Sequence, residues 1–232
     1  MSCGVDGGIP PPGPADRRGA RACIVVFARL PVPGRVKTRL AAGLGVGPSS
    51  ASDWYRVCAE HALQQVASCC PWAHVFLFHS TADATEDVAA WLAAEGLEGL
   101  ACLPQLGSAA GSDTDPDLGA KMLAAMAEAR RRSGCRKVII TGTDIPDLSA
   151  ELLQRAADAL DEHEAVWGPS LDGGYYLMGL TRLEDRLFTD MRWSTDSVLR
   201  ETLERARRAD PPLRVAPPGT LPPLRDIDTL QP

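Results

Sequence analysis

The sequence lacks the features of a membrane or secreted protein. No apolar run approaches the roughly 18 residues that a membrane-spanning helix needs. The first twenty residues contain no hydrophobic stretch of the kind that a secretory signal requires. The seven cysteines are odd in number and irregularly spaced, without a CxxC pair, so they predict neither a disulfide framework nor a zinc site. We therefore expect a cytoplasmic protein whose thiols are reduced and structural.

An excess of positive charge is also missing. The chain has 24 basic and 30 acidic residues, a net charge of −6, which argues against nucleic acid or an anionic membrane as a partner. Common catalytic and nucleotide signatures are absent too. There is no serine nucleophile elbow, and Val36 occupies the position where a Walker motif needs Gly. The glycine run at residues 43–47 follows no predicted strand, and Pro48 stands where a dinucleotide-binding fingerprint needs its third Gly.

Buried strands do alternate with amphipathic helices, which predicts an α/β domain over residues 22–232 with a mostly parallel sheet. Residues 1–21 are rich in Gly and Pro and predict a disordered tail. Apolar runs predict strands at residues 22–28, 75–78, 137–141, 165–167, 175–180 and 213–215. Helix predictions include residues 83–94 and about 149–160, together with a helix capped by Asp117 whose inner face is Leu118, Met122, Ala125, Met126 and Ala129. Ligands of such sheets bind at the carboxyl ends of the strands.

A basic loop follows the first predicted strand and leads into a helix. It carries Arg29, Arg35, Lys37 and Arg39 within eleven residues of an acidic protein. Gly34 allows the backbone to approach a ligand closely, and the N-terminus of the following helix favours an anion. Lysine supplies a compact charge and arginine a bidentate fork, which together suit a diphosphate. The alternative is a solvated basic turn.

Three acidic positions are candidates for the chemistry. Asp144 ends the strongest strand and could hold Mg²⁺ or Mn²⁺ on a diphosphate, or simply cap the turn. Asp172 begins an Asp-Gly-Gly-Tyr-Tyr segment, in which Gly173 and Gly174 form a tight turn and Tyr175 could stack on a sugar. An ordinary hairpin turn explains that segment equally well. In Asp226-Ile227-Asp228, both carboxylates point the same way if the segment is extended, and could give a second metal ligand or belong to a solvated tail.

Several blocks, taken in order, resemble the short glycosyltransferase-like proteins associated with arsenosugar biosynthesis, in the nucleotide-diphospho-sugar transferase (GT-A-like) superfamily. The blocks are VVFARLPVPGRVKTRLAAGLG, DPDLGAKM, VIITGTDIPDL, WGPSLDGGYYLMGL and DIDT. The resemblance implies a Rossmann-like three-layer α/β/α sandwich. It implies donor phosphates on Gly34, Arg35, Lys37 and Arg39, a metal on Asp144 and Asp228, and nucleobase contacts from Gln105, Leu118 and Gly119. It covers about residues 23–229, with a longer loop after Gln105 and Pro116 in place of the usual Gly before Asp117.

Three functions remain open from the sequence. The first is a metal-dependent glycosyltransferase with a nucleotide-sugar donor and a small-molecule acceptor, in which Asp172 orients or deprotonates the acceptor hydroxyl. The second is a nucleotidyltransferase that joins an NTP to a phosphorylated acceptor and releases pyrophosphate. The third is a non-catalytic nucleotide-binding domain. The sugar, the nucleobase, the acceptor and the oligomeric state are not indicated by the sequence.

Overall fold

The structure is a computed structural model that describes residues 20–80, 82–107 and 117–226. Residues 1–19 of the predicted tail, and Asp228, lie outside this range. None of the helices in the described part is long and apolar enough to cross a membrane. The elements, in chain order, are β1 (Ala22–Ala28), α1 (Thr38–Leu44), α2 (Pro48–Ala67), β2 (Ala73–His79), α3 (Thr85–Ala94), β3 (Ala101–Pro104), α4 (Leu118–Ser133), β4 (Val138–Thr141), α5 (Ala150–Glu162), β5 (Ala165–Pro169), β6 (Tyr175–Leu180) and α6 (Val198–Arg207).

The six strands form one sheet in the order β3-β2-β1-β4-β6-β5. Strands β1 to β4 are mutually parallel. Strand β6 runs antiparallel to both β4 and β5, so β5 points in the same direction as β4. The predicted mostly parallel sheet is therefore confirmed. It brings the carboxyl ends of five strands, and the loops that follow them, to one edge.

Two apolar layers cover the faces of the sheet. Ile24 and Val26 of β1 pack into a cluster with α2, α3 and α5, while Cys23 and Val25 face the opposite cluster with α4 and α6. All four side chains are buried, because successive residues of a strand point to opposite faces and both faces carry helices. Burying one such aliphatic side chain contributes about 1.5–3 kcal/mol. The predicted three-layer α/β/α sandwich follows from this packing.

Three local predictions were wrong. Leu118 is 44% exposed and does not belong to the inner face of α4, although Asp117 does cap that helix by accepting a hydrogen bond from the Ala120 amide at 2.8 Å. Helix α3 begins at Thr85 rather than at the predicted residue 83. The carboxylate of Asp83 instead accepts a hydrogen bond from the Leu30 amide in the loop after β1. The predicted strand at residues 213–215 is reduced to a single bridge between Val215 and Ala165.

Candidate active site

Lys37 lies at the centre of the carboxyl edge. It has a left-handed backbone (φ 48°) directly before α1. Its side chain is only 5% exposed, and its Nζ lies 3.0 Å from Asp144 Oδ2 and 4.0 Å from Asp226 Oδ1. The structure thus brings together the strand-β1 loop, the strand-β4 loop and the last described residue of the chain. Helix α1 has only seven residues, so the side chains of this loop, rather than a helix N-terminus, supply its positive character.

The three arginines of the basic loop divide into two groups. Arg35 donates hydrogen bonds to the Ala82 carbonyl and, at 3.2 Å, to Asp83 Oδ1, while its side chain stays 46% exposed. Arg29 and Arg39 are exposed. Arg35 is therefore held by a carboxylate, whereas Arg29 and Arg39 are solvent-exposed, and the phosphate-binding role of all three stays a prediction.

Asp83 is a structural residue that the sequence reading missed. Its side chain is 4% exposed, and its Oδ2 accepts a hydrogen bond from the Leu30 amide at 2.9 Å. Together with the Arg35 contact, this carboxylate fixes both the beginning and the middle of the basic loop. Its position just after β2 was the available signal, because residues that follow parallel strands gather at the same edge.

Tyr55 of α2 connects the loops that follow β1 and β4. Its hydroxyl accepts a hydrogen bond from the Arg29 amide at 3.2 Å and pairs with Thr143 Oγ1 at 2.9 Å. Burial raises the pKa of this hydroxyl, so it remains a neutral hydrogen-bonding group. Tyr55 therefore fixes the spacing between the basic loop and the loop that carries Asp144.

We expect Asp83→Ala to destabilise the protein by about 2–3 kcal/mol, because the Leu30 amide and the Arg35 guanidinium both lose a buried acceptor. Urea unfolding followed by circular dichroism measures this change. Asp53→Ala is the matched control: Asp53 is 67% exposed and pairs with Arg56 at 3.3 Å, so its removal should cost less than about 0.5 kcal/mol. Equal effects of the two substitutions would contradict the assignment of Asp83 as the anchor of the loop.

Asp144 and Asp226 form the carboxylate pair of this edge. Asp144 follows β4, and a Cβ at Gly142 would lie 2.8 Å from Asp144 Oδ1, so the small residue makes room for the carboxylate. Asp226 ends a segment that runs alongside β5, where the Leu224 amide donates to the Pro169 carbonyl at 3.0 Å. Of the two carboxylates of the predicted Asp-Ile-Asp segment, Asp226 lies in the described part, where its Oδ1 is 4.0 Å from Lys37 Nζ.

Asp172 lies in the turn between β5 and β6, at the same edge. Its Oδ1 accepts a hydrogen bond from the Gly174 amide at 3.0 Å, and the residue is exposed. The turn is a hairpin, and it is also held in place, because the Leu199 amide donates to the Gly173 carbonyl at 3.1 Å. Since β6 separates β4 from β5, the ends of those two strands lie about 10 Å apart.

Tyr175 does not reach the surface as a stacking platform. It packs against the cluster under α4, and its hydroxyl is buried without a hydrogen-bond partner among the residues that the structure describes. Burial raises the pKa of this hydroxyl, so it is protonated at neutral pH. Its predicted contact with a sugar or an acceptor stays a prediction.

Tyr175→Phe should stabilise the protein by about 1 kcal/mol, because it removes a buried hydroxyl that lacks a partner. The neighbouring Tyr176→Phe should have the opposite sign, since it removes a hydrogen bond at 3.3 Å to the Pro222 carbonyl, at a cost of about 1 kcal/mol. Urea unfolding of both variants tests this contrast. A loss of stability in Tyr175→Phe would mean that its hydroxyl is satisfied in solution.

The three residues predicted to contact a nucleobase lie beyond β3 and at the start of α4. Gln105 donates to the Phe78 carbonyl at 3.4 Å through Nε2. A Cβ at Gly119 would lie 1.9 Å from the Phe188 carbonyl oxygen, so close packing already requires glycine there. Leu118 is exposed beside it. Nucleobase binding by these residues stays a prediction.

The carboxylate pair fits a divalent cation that shares its coordination with a ligand. Within residues 20–80, 82–107 and 117–226, no group of three or more His, Cys, Asp or Glu side chains could hold a metal. Mg²⁺ is commonly bound by only one or two carboxylates, with substrate phosphates and water completing its octahedron. Asp144 and Asp226 meet that requirement, and the ammonium of Lys37 shows that the pair already attracts a cation.

Residues 63–195 match the DUF2064 family, described as an uncharacterized protein conserved in bacteria. This chain belongs to that family. The match spans β2 to β6 and so includes Asp144 and Asp172, whereas Lys37 and Asp226 lie outside it. No curated protein is significantly similar to this DUF2064 protein.

Solved structures give a second comparison for this DUF2064 protein. A "putative nucleotide-diphospho-sugar transferase" from Desulfovibrio desulfuricans G20 is 33% identical, with a TM-score of 0.76 over 90% of this chain and 83% of that one. A nucleotidyl transferase from Methanothermobacter thermautotrophicus is 19% identical, with a TM-score of 0.53 over 90% and 88%. Rv0371c from Mycobacterium tuberculosis H37Rv, in complex with manganese, is 16% identical, with a TM-score of 0.50 over 90% and 92%. The last two likenesses show the fold alone, and the association with arsenosugars stays a prediction.

Proposed function

We propose that this protein is a divalent-cation-dependent glycosyltransferase that uses a nucleotide-diphosphate sugar as donor. The observation that carries the proposal is the meeting of Lys37 with Asp144 and Asp226 at the carboxyl edge of the sheet. A basic group and a carboxylate pair are what a diphosphate and its cation require. The exposed Asp172 turn lies at the same edge and offers an acceptor side. The 33% identical protein described as a nucleotide-diphospho-sugar transferase supports this choice.

The donor side is formed by the basic loop. Lys37 and Arg35 would contact the diphosphate, with Arg29 and Arg39 closing over it from the surface. Gly34 has a left-handed backbone (φ 78°), and a Cβ at this position would have no heavy atom within 4 Å. Phosphate oxygens can therefore approach its backbone. A divalent cation bound by Asp144 and Asp226 supplies charge neutralisation to the diphosphate.

The acceptor side is formed by the Asp172 turn. In the proposed step, an acceptor hydroxyl oxygen forms a bond to the anomeric carbon as the bond from that carbon to the diphosphate oxygen breaks. The electron pair of the broken bond goes to the nucleoside diphosphate, where Lys37 and Arg35 stabilise it. Asp172 takes or orients the hydroxyl proton. Gly173 and Gly174 keep the turn narrow enough for a small acceptor to reach the carboxylate.

A nucleotidyltransferase is the second candidate, since its chemistry needs the same residues. The 19% identical nucleotidyl transferase has the same fold, and Lys37 with the Asp144–Asp226 pair would hold a triphosphate as readily as a diphosphate. In that reaction an oxygen of a phosphorylated acceptor attacks the α-phosphorus, and pyrophosphate leaves.

The products distinguish the two reactions. We would incubate the full chain and Mn²⁺ with nucleotide sugars of each base plus simple sugar and polyol acceptors, and separately with NTPs plus sugar phosphates, and follow both by ³¹P NMR. Nucleoside diphosphate formed only in the presence of an acceptor supports glycosyl transfer. Pyrophosphate supports nucleotidyl transfer. Tight nucleotide binding without either product would favour the non-catalytic domain.

A further inference from the structure

The position of Lys37 has a consequence for how the cation enters the site. Both the 3.0 Å and the 4.0 Å contact end on one nitrogen, so Asp144 and Asp226 face the same ammonium. The Lys37 side chain is 5% exposed, and the two carboxylates are 32% and 25% exposed. The lysine is therefore the buried member of the group, while part of each aspartate side chain remains open to solvent.

We propose that Lys37 is a built-in counter-ion that competes with the divalent cation for Asp144 and Asp226, so that the cation binds strongly only when phosphates draw the ammonium away. This inference rests on the proposed cation site and adds an order to its assembly. An ammonium and a cation that contact the same oxygens repel one another within a few ångströms, where screening by solvent is weak.

The anchoring of Lys37 makes this competition strong. The backbone of Lys37 is fixed by its left-handed conformation and by the Ala41 amide, which donates to the Lys37 carbonyl at 3.0 Å. The ammonium also lies 6.0 Å from the centre of the Tyr55 ring, a further attraction for a positive charge. The side chain of Lys37 can still change its conformation. A diphosphate bound beside the loop would offer its ammonium a negative charge comparable to that of the two carboxylates. Phosphate and cation then strengthen each other's binding, as reciprocal linkage requires.

The test is Mn²⁺ binding without any nucleotide, measured by electron paramagnetic resonance of the unbound ion in full-length protein at neutral pH. Lys37→Met keeps the length of the side chain and removes its charge. We expect it to tighten Mn²⁺ binding at least about tenfold, because the ion gains both carboxylates without a competing charge nearby. Adding Asp144→Asn to Lys37→Met should abolish that gain.

Arg39→Met is the matched control, since it removes the same charge from an exposed residue at the start of α1. It should change Mn²⁺ affinity less than about twofold, because solvent and salt screen the charge of an exposed side chain. Unchanged or weaker Mn²⁺ binding by Lys37→Met would overturn the proposal, as would an equal gain in Arg39→Met. Thermal denaturation gives a second readout: Mn²⁺ should raise the Tm of Lys37→Met more than that of the wild type.

Failure of this experiment is distinguishable from failure of the proposed function, because it involves no donor, acceptor or turnover. A protein that transfers sugars but whose Lys37→Met variant gains no Mn²⁺ affinity would refute only the competition. A protein with the expected Mn²⁺ response but no transfer product would refute only the reaction.

Discussion

Asp144→Asn should lower kcat of the transfer reaction by about 100- to 1,000-fold, the size of effect seen when one preorganised electrostatic group is removed from a reacting charge. The amide keeps the shape of the side chain but loses the charge that faces Lys37 Nζ at 3.0 Å and that would hold the cation. Initial rates at saturating donor and Mn²⁺, followed by release of nucleoside diphosphate or pyrophosphate, measure the loss whichever bond is broken.

Asp147→Asn is the control for that substitution. Asp147 is exposed in the same loop between β4 and α5, so its charge can be removed without touching the carboxylate pair. Its kcat should stay within about twofold of the wild type, as for other exposed charges. If Asp144→Asn kept more than one fifth of the wild-type rate, Asp144 would not belong to the reacting site.

Gly173→Ala should destabilise the protein by about 3 kcal/mol, which corresponds to a fall in Tm of about 6–12 °C for a chain of this size. Gly173 has φ 90°, and a Cβ there would lie 2.1 Å from the Asp196 carbonyl oxygen. Backbone on both sides must shift, because the obstructing atom is not the end of a flexible side chain. Differential scanning calorimetry gives the change in Tm, and activity should fall with it as the Asp172 turn moves.

Gly219→Ala separates the two causes of that effect. Gly219 has a similar φ of 84° but no heavy atom within 4 Å of a built Cβ, so only backbone strain is introduced, at about 1 kcal/mol. A loss in Gly173→Ala no larger than in Gly219→Ala would show that the contact with Asp196 relaxes freely.

Most of the sheet could be predicted from the sequence because its strands are buried on both faces. A continuous run such as residues 22–28 has few alternatives once helices flank it on both sides. The apolar run that predicted β6 did not indicate its direction, since a buried strand has the same hydrophobic pattern whether it is parallel or antiparallel to its neighbours. The short connection over residues 170–174 carried the information, because a loop of that length joins antiparallel strands.

The candidate site was only partly predictable, for a different reason. The density of basic residues identified the loop at residues 29–39, and the apolar run at residues 137–141 placed Asp144 at the end of a strand. Neither pattern shows which charged side chains are in contact. The ammonium of Lys37 faces Asp144 and Asp226, and Arg35 turns to Asp83, because folding brings together loops that are remote in the chain. Asp83 was missed since a single carboxylate before a helix resembles an ordinary first-turn residue.

The segment that delivers Asp226 also makes the site one of the last parts of the molecule to be completed during synthesis. Lys37 leaves the ribosome early, and Asp144 follows it, but Asp226 arrives only after every strand of the sheet has been made. Domains commonly begin to fold while the chain is still being extended. A growing chain can thus acquire its sheet and its basic loop before Asp226 joins Asp144 beside Lys37.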